Sequence, residues 1–294
     1  MVGSMTRRAG LIALGGSLAS ACSPLSLFAT FTPKDAAKRS EQGAAYGTLE
    51  RQALDVYAPR HETAPAPVAV FFYGGSWDSG RRQDYGWVGR ALAAQGFLTI
   101  VPDYRLYPTV RYPSFLEDGA LAVSWAIEHA RALGGDPTRV VLVGHSAGAY
   151  IAAMLALDDR YLKAAGVDPK GVRAFAGLSG PYDFLPLDGP ITRQTFGQAP
   201  DLPGTQPARY VRAGSPPAFL ATGEADTTVY PRNTLALAAA LRAKGVLVEE
   251  RHYAGLDHAD TVLALSKPLR GKAPLLAEMV AFLKERVART PAPT

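Results

Sequence analysis

The pentapeptide Gly144-His-Ser-Ala-Gly148 constrains this chain more than any other feature. It occurs once. The apolar run Val140-Val-Leu-Val143 precedes it, and a run with the composition of a buried helix, Ala149 to Leu157, follows. A short apolar run closed by glycine suits a buried strand. Strand, sharp turn and helix in that order place the serine at the turn, with its hydroxyl exposed at a helix N-terminus. Small residues at 144 and 148 let the backbone turn that tightly.

The neighbouring pattern extends the argument. Short strand-like runs are expected at 48–57, 68–73, 97–101, 139–143, 172–178, 218–222 and 246–253. Helical runs are expected at 84–95, from 113 to about 130, and at 147–157, 235–243 and 275–287. Pro113 opens its helix where a missing N–H does no harm. Apolar residues then recur at helical spacing through Phe115, Leu116, Ala120, Val123 and Ile127. Strands that alternate with helices imply an α/β fold with a mostly parallel sheet covered on both faces. The stretch 182–215 breaks the alternation with repeated prolines and glycines. A loop of that length in a compact domain is usually functional. It is expected to form a small cap, the alternative being an irregular surface insertion.

A serine hydroxyl is a poor nucleophile unless a base takes its proton. The five histidines are His61, His129, His145, His252 and His258. His61 precedes the sheet core, His129 falls inside a helix, His252 falls inside a strand, and the turn aims His145 away. His258 follows the last strand on a loop and is the expected base for Ser146. A carboxylate must fix the tautomer of that base. Asp226, on the loop after 218–222, is the candidate, with Glu224 as its rival. Asp257 and Asp260 are too close to His258 in sequence to orient it. Tyr73-Gly-Gly-Ser-Trp77 ends an earlier strand, and glycines let backbone N–H groups approach a reacting oxygen. The expected oxyanion donors are the N–H groups of Gly75, Ser76 and Ala147.

On these residues the chain from about 54 to 283 resembles the hormone-sensitive-lipase-like and kynurenine-formamidase-like (BD-FAE-type) branches of the α/β-hydrolases. Tyr73-Gly-Gly-Ser-Trp77 is similar to their His-Gly-Gly-x-Trp. Asp103-Tyr-Arg-Leu106, Pro113 to Asp118 and Gly134-Gly-Asp-Pro137 match further stretches, and Ser146, Asp226, His258 is the α/β-hydrolase order. The resemblance implies a carboxylesterase that forms an acyl-enzyme on a small-molecule ester. An amide hydrolase, arylformamidase-like or peptidase-like, is the enzymatic alternative. A catalytically inactive binding module is the alternative of another class. The chain departs from the family at Tyr73, where a histidine normally braces the oxyanion loop; a tyrosine hydroxyl could replace that bond. No cofactor is expected, and no metal site, because the histidines lack the i, i+4 spacing of a zinc helix.

The 294 residues are 48% hydrophobic and 19% charged, a globular composition. Net charge is +5 and the basic residues form no stripe, so no nucleic-acid partner is expected. Arg7-Arg8, a short apolar run and Ala19-Ser-Ala-Cys22 read as an export signal over 1–21. They resemble a twin-arginine leader ending in a bacterial lipobox. Cys22 is the single cysteine, so it cannot form an intrachain disulfide and is better explained as a lipid attachment site. The alternative is an ordinary leader cut near Ala21 or Ala29. The domain reading is a tether over 22–45 and a catalytic domain over 46–290. The location expected is periplasmic or cell-surface, held to the membrane through Cys22.

Overall fold

The computed structural model describes residues 24–61 and 65–288. In chain order its elements are α1 (Pro24–Phe31), β1 (Lys38–Ala45), β2 (Ala53–Ala58), β3 (Ala66–Phe72), α2 (Gly86–Ala94), β4 (Leu98–Pro102), α3 (Ser114–His129), β5 (Gly135–His145), α4 (Ala147–Leu157), α5 (Asp159–Ala164), β6 (Val172–Leu178), α6 (Pro190–Phe196), β7 (Ala218–Gly223), α7 (Arg232–Ala243), β8 (Val248–Tyr253), α8 (His258–Leu263) and α9 (Leu275–Ala288). The strands form one sheet in the order β1-β2-β4-β3-β5-β6-β7-β8. β1–β2 and β2–β4 pair antiparallel, and the other neighbours pair parallel. This is the mostly parallel α/β-hydrolase sheet the sequence implied.

The apolar runs explain the middle of that sheet. β3 is buried from Val68 to Phe72 and β5 from Val140 to His145, the stretches over which the two strands pair. All eleven residues of α4 are buried, as expected of a helix that is apolar on every side. It packs on β3, β5 and β6 and against α3. α9 packs on β5, β6 and β7, and α2 on β2 and β4.

The order β4-β3-β5 makes β3 and β5 neighbours although the chain leaves β3 toward β4 and only later returns on the other side. Such a reversal opens a crevice beyond the C-terminal ends of the two strands, the usual ligand position in an open α/β sheet. Tyr73-Gly-Gly-Ser-Trp77 leaves the end of β3 and Ser146 leaves the end of β5, so both lie at that crevice.

Two expectations are corrected. Where a tether was expected over 22–45, the described part holds α1 and the edge strand β1. β1 pairs with β2 from Lys38↔Ala58 to Ala45↔Ala53 with two register shifts, and α1 sets Phe28 edge-on against Trp87 at 5.4 Å between ring centroids. Backbone pairing, with no need for an apolar face, draws this polar stretch into the sheet. The strand expected over 48–57 begins only at Ala53, because residues before it form a turn closed by Gln52 N–H to the Leu49 carbonyl, 2.8 Å. Residues 1–21 and Cys22 lie outside the described residues.

Candidate active site

The turn at Ser146 is forced by contact. A Cβ on Gly144 would lie 2.2 Å from the Gly148 carbonyl oxygen, and one on Gly148 would lie 2.0 Å from the Phe72 oxygen. No other residue fits either place. Ser146 itself has φ 56°, a left-handed conformation that L side chains rarely adopt. Strain of this kind persists where the surroundings enforce it. Here the Ser146 N–H donates to the Leu178 carbonyl (2.9 Å), and α4 begins at the next residue.

The expected partners converge on this serine. Ser146 Oγ lies 2.9 Å from His258 Nε2, and His258 Nδ1 lies 2.8 Å from Asp226 Oδ2. Asp226 is buried, and its other oxygen accepts the N–H groups of Thr228 (3.0 Å) and Val229 (2.8 Å). Burial alone would raise its pKa. The hydrogen bond to His258, electrostatic attraction to that ring, the Val229 N–H and the Ser179 hydroxyl outweigh burial and hold the carboxyl below the usual range. An ionised Asp226 only accepts, so His258 carries its proton on Nδ1 and leaves Nε2 to accept from Ser146.

The rival carboxylates have other places. Glu224 is exposed, and its N–H is spent on the Tyr253 carbonyl at 3.0 Å. Asp257 and Asp260 form a capping box at the start of α8, whose first residue is His258. They fix the helix that carries the base.

The loop after β3 approaches the serine from the other side. A Cβ on Gly74 would lie 3.0 Å from Ser146 Cβ, and Gly75, Ser76 and Trp77 all have positive φ (137°, 51° and 61°). Gly75 has no alternative, because a Cβ there would meet the Ser79 carbonyl oxygen at 2.3 Å. That turn is closed by Asp78 N–H (3.1 Å) and Ser79 N–H (3.0 Å) donating to the Gly75 carbonyl. Ala147 opens α4, so its N–H has no acceptor one turn earlier. Ser76, Trp77, Ser146 and Ala147 share one cleft of about 220 Å³ with Pro181, Phe184, Ile191, Val229, Tyr230 and Arg232.

Tyr73, where the family pattern has histidine, is fully buried between the rings of Tyr85 and Tyr104, with centroids at 5.3 and 4.8 Å. Its hydroxyl donates to Asp103 Oδ1 (2.7 Å) and accepts from Arg51 Nη2 (2.9 Å). Arg82 holds the same carboxylate through its N–H, 2.7 Å, and its guanidinium. The Tyr104 hydroxyl donates to the Tyr73 carbonyl at 2.8 Å. Burial first, and the charge of Asp103 second, push the Tyr73 pKa well up, so its hydroxyl keeps the proton it donates. The tyrosine supplies a brace of its own at the root of the glycine loop.

The stretch 182–215 lends Phe184, Asp188, Gly189, Ile191 and Thr192 to the wall of the cleft. Phe196 at the end of α6 packs edge-on against Trp77, 4.8 Å between centroids. Two other aromatic residues are spent elsewhere: Tyr46 bonds the Asp103 carbonyl at 2.6 Å, and Trp87 bonds the Asp84 carbonyl at 3.0 Å. Neither lines the cleft. Two residues with no sequence motif stand beside the triad: Thr261, whose hydroxyl lies 3.0 Å from the His258 carbonyl, and Ser179, just past β6, whose hydroxyl lies 3.0 Å from that of Thr261.

Comparison with known proteins bears on the family and the fold. The BD-FAE family pattern matches residues 54–241, well over half of the chain. Isoprenylcysteine alpha-carbonyl methylesterase ICME of Arabidopsis thaliana is 29% identical over 257 residues, covering 80% of this chain and 59% of that protein. Carboxylesterase NlhH of Mycobacterium tuberculosis (strain ATCC 25618 / H37Rv) is 31% identical over 256 residues, covering 79% of this chain and 78% of that one. The chain spans 52% to 62% of the length of the plant methylesterases it matches. Among solved structures, a truncated carbohydrate esterase from gut microbiota superposes with TM-score 0.75 at 18% identity, covering 88% of this chain and 99% of that one. The metagenomic carboxylesterase EstE1 superposes with TM-score 0.72 at 20% identity, covering 90% and 93%. These two share the fold; the family follows from the sequence match, and the chain belongs to the BD-FAE family of α/β-hydrolases.

Proposed function

We propose that the protein hydrolyses carboxylic esters through an acyl-enzyme on Ser146. The observation that carries this is the run of two hydrogen bonds from Ser146 Oγ through His258 to Asp226, 2.9 and 2.8 Å. In this reading His258 Nε2 takes the serine proton as Oγ attacks the ester carbonyl. Asp226 stabilises the imidazolium that forms. The oxyanion faces the N–H groups of Gly75, Ser76 and Ala147. His258 then returns the proton to the leaving alcohol, and a water activated by the same base releases the acid. The names of the relatives, methylesterase and carboxylesterase, support the choice of ester.

The cleft of about 220 Å³ is smaller than the roughly 300–1,000 Å³ usual for drug-sized ligands, which favours short acyl groups. The test is a series of p-nitrophenyl esters of rising chain length, with N-formylkynurenine as an amide comparison. Acetate to butyrate esters should be the best substrates, and folded Ser146→Ala should lose turnover and fluorophosphonate labelling. A folded Ser146→Ala that keeps near wild-type turnover overturns the assignment.

We also propose export and attachment to a bacterial membrane through a lipidated Cys22. The lipobox-like Ala19-Ser-Ala-Cys22 supports it. Because α1 starts at Pro24, such an anchor would hold the folded body close to the bilayer. Leu27 and Phe31, one helical turn apart on α1, are 47% and 79% exposed, which suits a surface that meets lipid.

A further inference from the structure

β6 lies between β5, which ends at the serine, and β7, which ends before the aspartate. The residue that follows its C-terminal end therefore stands between the two. That residue is Ser179, fully buried, with φ 49°. Its backbone is tied on one side, where its N–H donates to the Ala221 carbonyl of β7, 2.8 Å. The residue before it, Leu178, accepts the N–H of Ser146 on the other side at 2.9 Å. The Ser179 hydroxyl lies 3.0 Å from Thr261 Oγ1, and it is among the groups that hold the Asp226 carboxyl below its usual range. Thr261 is fully buried on α8, the helix that begins with the base.

Proton counting sets the direction of these bonds. Thr261 has one hydroxyl proton and two acceptors at 3.0 Å, Ser179 Oγ and the His258 carbonyl. That carbonyl is already served by His145 Nε2–H at 3.0 Å. If Thr261 donates to Ser179, the Ser179 proton goes to a carboxylate. In the opposite arrangement it goes to a neutral hydroxyl. Bonds to an ionised acceptor are the stronger, so the first arrangement prevails.

Resting on the hydrolase reading above, we propose that Ser179 is a positioning residue of the catalytic centre, its hydroxyl, supplied by Thr261, holding the Asp226 carboxylate in line with His258 Nδ1. Thr228 and Val229 fix one oxygen of Asp226 from its own loop. Ser179 adds a donor from a different strand and ties the acid to the helix of the base. The other titratable groups packed around the pair are His145, which burial keeps neutral, and Asp260, which is paired with Lys272.

The test compares Ser179→Gly, Ser179→Ala, Thr261→Val and Thr261→Ser. Glycine tolerates the positive φ at 179, so Ser179→Gly removes the hydroxyl without backbone strain. Loss of one hydrogen bond of this class predicts a fall of about three- to tenfold in kcat for Ser179→Gly and Thr261→Val, with KM within about twofold. The acidic limb of kcat/KM should move to higher pH in Ser179→Gly, because a carboxylate that has lost a donor holds the imidazolium proton more tightly. Thr261→Ser, which keeps the hydroxyl, should restore turnover lost in Thr261→Val. Fluorophosphonate labelling rates give the same comparison without choosing a substrate. A labelled wild type with Ser179→Gly equally fast overturns the role of Ser179 alone. So does a slower Ser179→Gly whose pH limb does not move. A folded wild type that neither labels nor turns over ester removes the hydrolase reading and this role with it.

Discussion

The imidazole of His145 holds the backbone of His258: its Nε2–H donates to the His258 carbonyl at 3.0 Å, and the two rings lie 5.0 Å apart. The elbow that presents Ser146 thus also aims the preceding side chain at the turn carrying the base. A carbonyl can only accept, so His145 has its proton on Nε2. Its Nδ1 is buried among the described residues with no partner, beside Gly74.

That site makes a pH prediction. Burial, and secondarily the neighbouring His258, push the His145 pKa from 6.5 to about 3. The unfolded chain therefore takes up the proton first as pH falls. Stability is fully present above about 6.5 and drains away as pH drops toward about 3. Between pH 7 and 5 the loss should be on the order of 2 kcal/mol. Denaturant unfolding of wild type and His145→Gln at the two pH values measures it. The variant should lose markedly less on going to pH 5, and equal losses in both would remove the buried neutral histidine as the cause.

Asp226→Asn should keep the fold and reduce turnover on the order of 10⁴-fold, the size of effect known for the aspartate of serine proteases, because the amide favours the wrong tautomer of His258. Glu224→Gln should leave turnover within about twofold, since an exposed side chain away from the base contributes little. Steady-state kinetics on a short-chain ester decide between them, and a reversed order would transfer the acid's role to Glu224.

The parts of this site that were legible in the sequence are those in which one short segment carries the whole signal. Gly144 and Gly148 are written into the chain because a Cβ at either would strike backbone. Val140 to Val143 reads as buried because both faces of β5 are covered. His258 and Asp226 follow from the order of loops after strands. β1 was not legible, since Lys38-Arg-Ser-Glu-Gln-Gly-Ala-Ala45 has no apolar alternation and owes its conformation to pairing with β2. Ser179 and Thr261 were not legible either. They stand 82 residues apart and meet only because β6 is seated between β5 and β7. A serine directly after an apolar strand, next to the strand of the nucleophile, was the one available signal, and it needs the strand order to be read.

Tyr73→Phe tests the brace at the root of the oxyanion loop. The ring stack with Tyr85 and Tyr104 should survive. The bond to Asp103 would be lost, and Arg51 Nη2 would keep the Gly80 carbonyl at 2.9 Å and its ion pair with Asp103 at 3.8 Å. A buried bond to a carboxylate predicts a cost of about 1.5–3 kcal/mol in stability. If Tyr73 positions Gly74 and Gly75, kcat should fall as well, with less change in KM. Thermal unfolding and kinetics on the same preparation check both, and a variant equal to wild type in both would mean that the glycine loop does not depend on this hydroxyl.

The last prediction concerns Cys22. An acyl chain contributes about 0.8 kcal/mol per buried CH₂, and stable anchoring takes more than one chain, which a diacylglyceryl-modified cysteine would supply. The early start of α1 changes what such an anchor would do. With the helix beginning at Pro24 and Phe28 packed on Trp87, little chain is left to act as a spacer. The body would rest near the lipid, with Leu27 and Phe31 directed outward from α1. Native protein, Cys22→Ala, and a Leu27→Ser/Phe31→Ser double variant should be expressed in a bacterial host and the cells fractionated. The native and double variants should both be found with membranes, and Cys22→Ala should be soluble or left with its leader uncleaved. The mature native N-terminus should be a blocked Cys22. In a salt or mild detergent wash the double variant should become protease-sensitive near α1 sooner than the native form, since its helix no longer has apolar residues to bury in lipid. Native protein that is fully soluble in the periplasm, with an N-terminus downstream of Cys22, would replace lipidation by ordinary secretion.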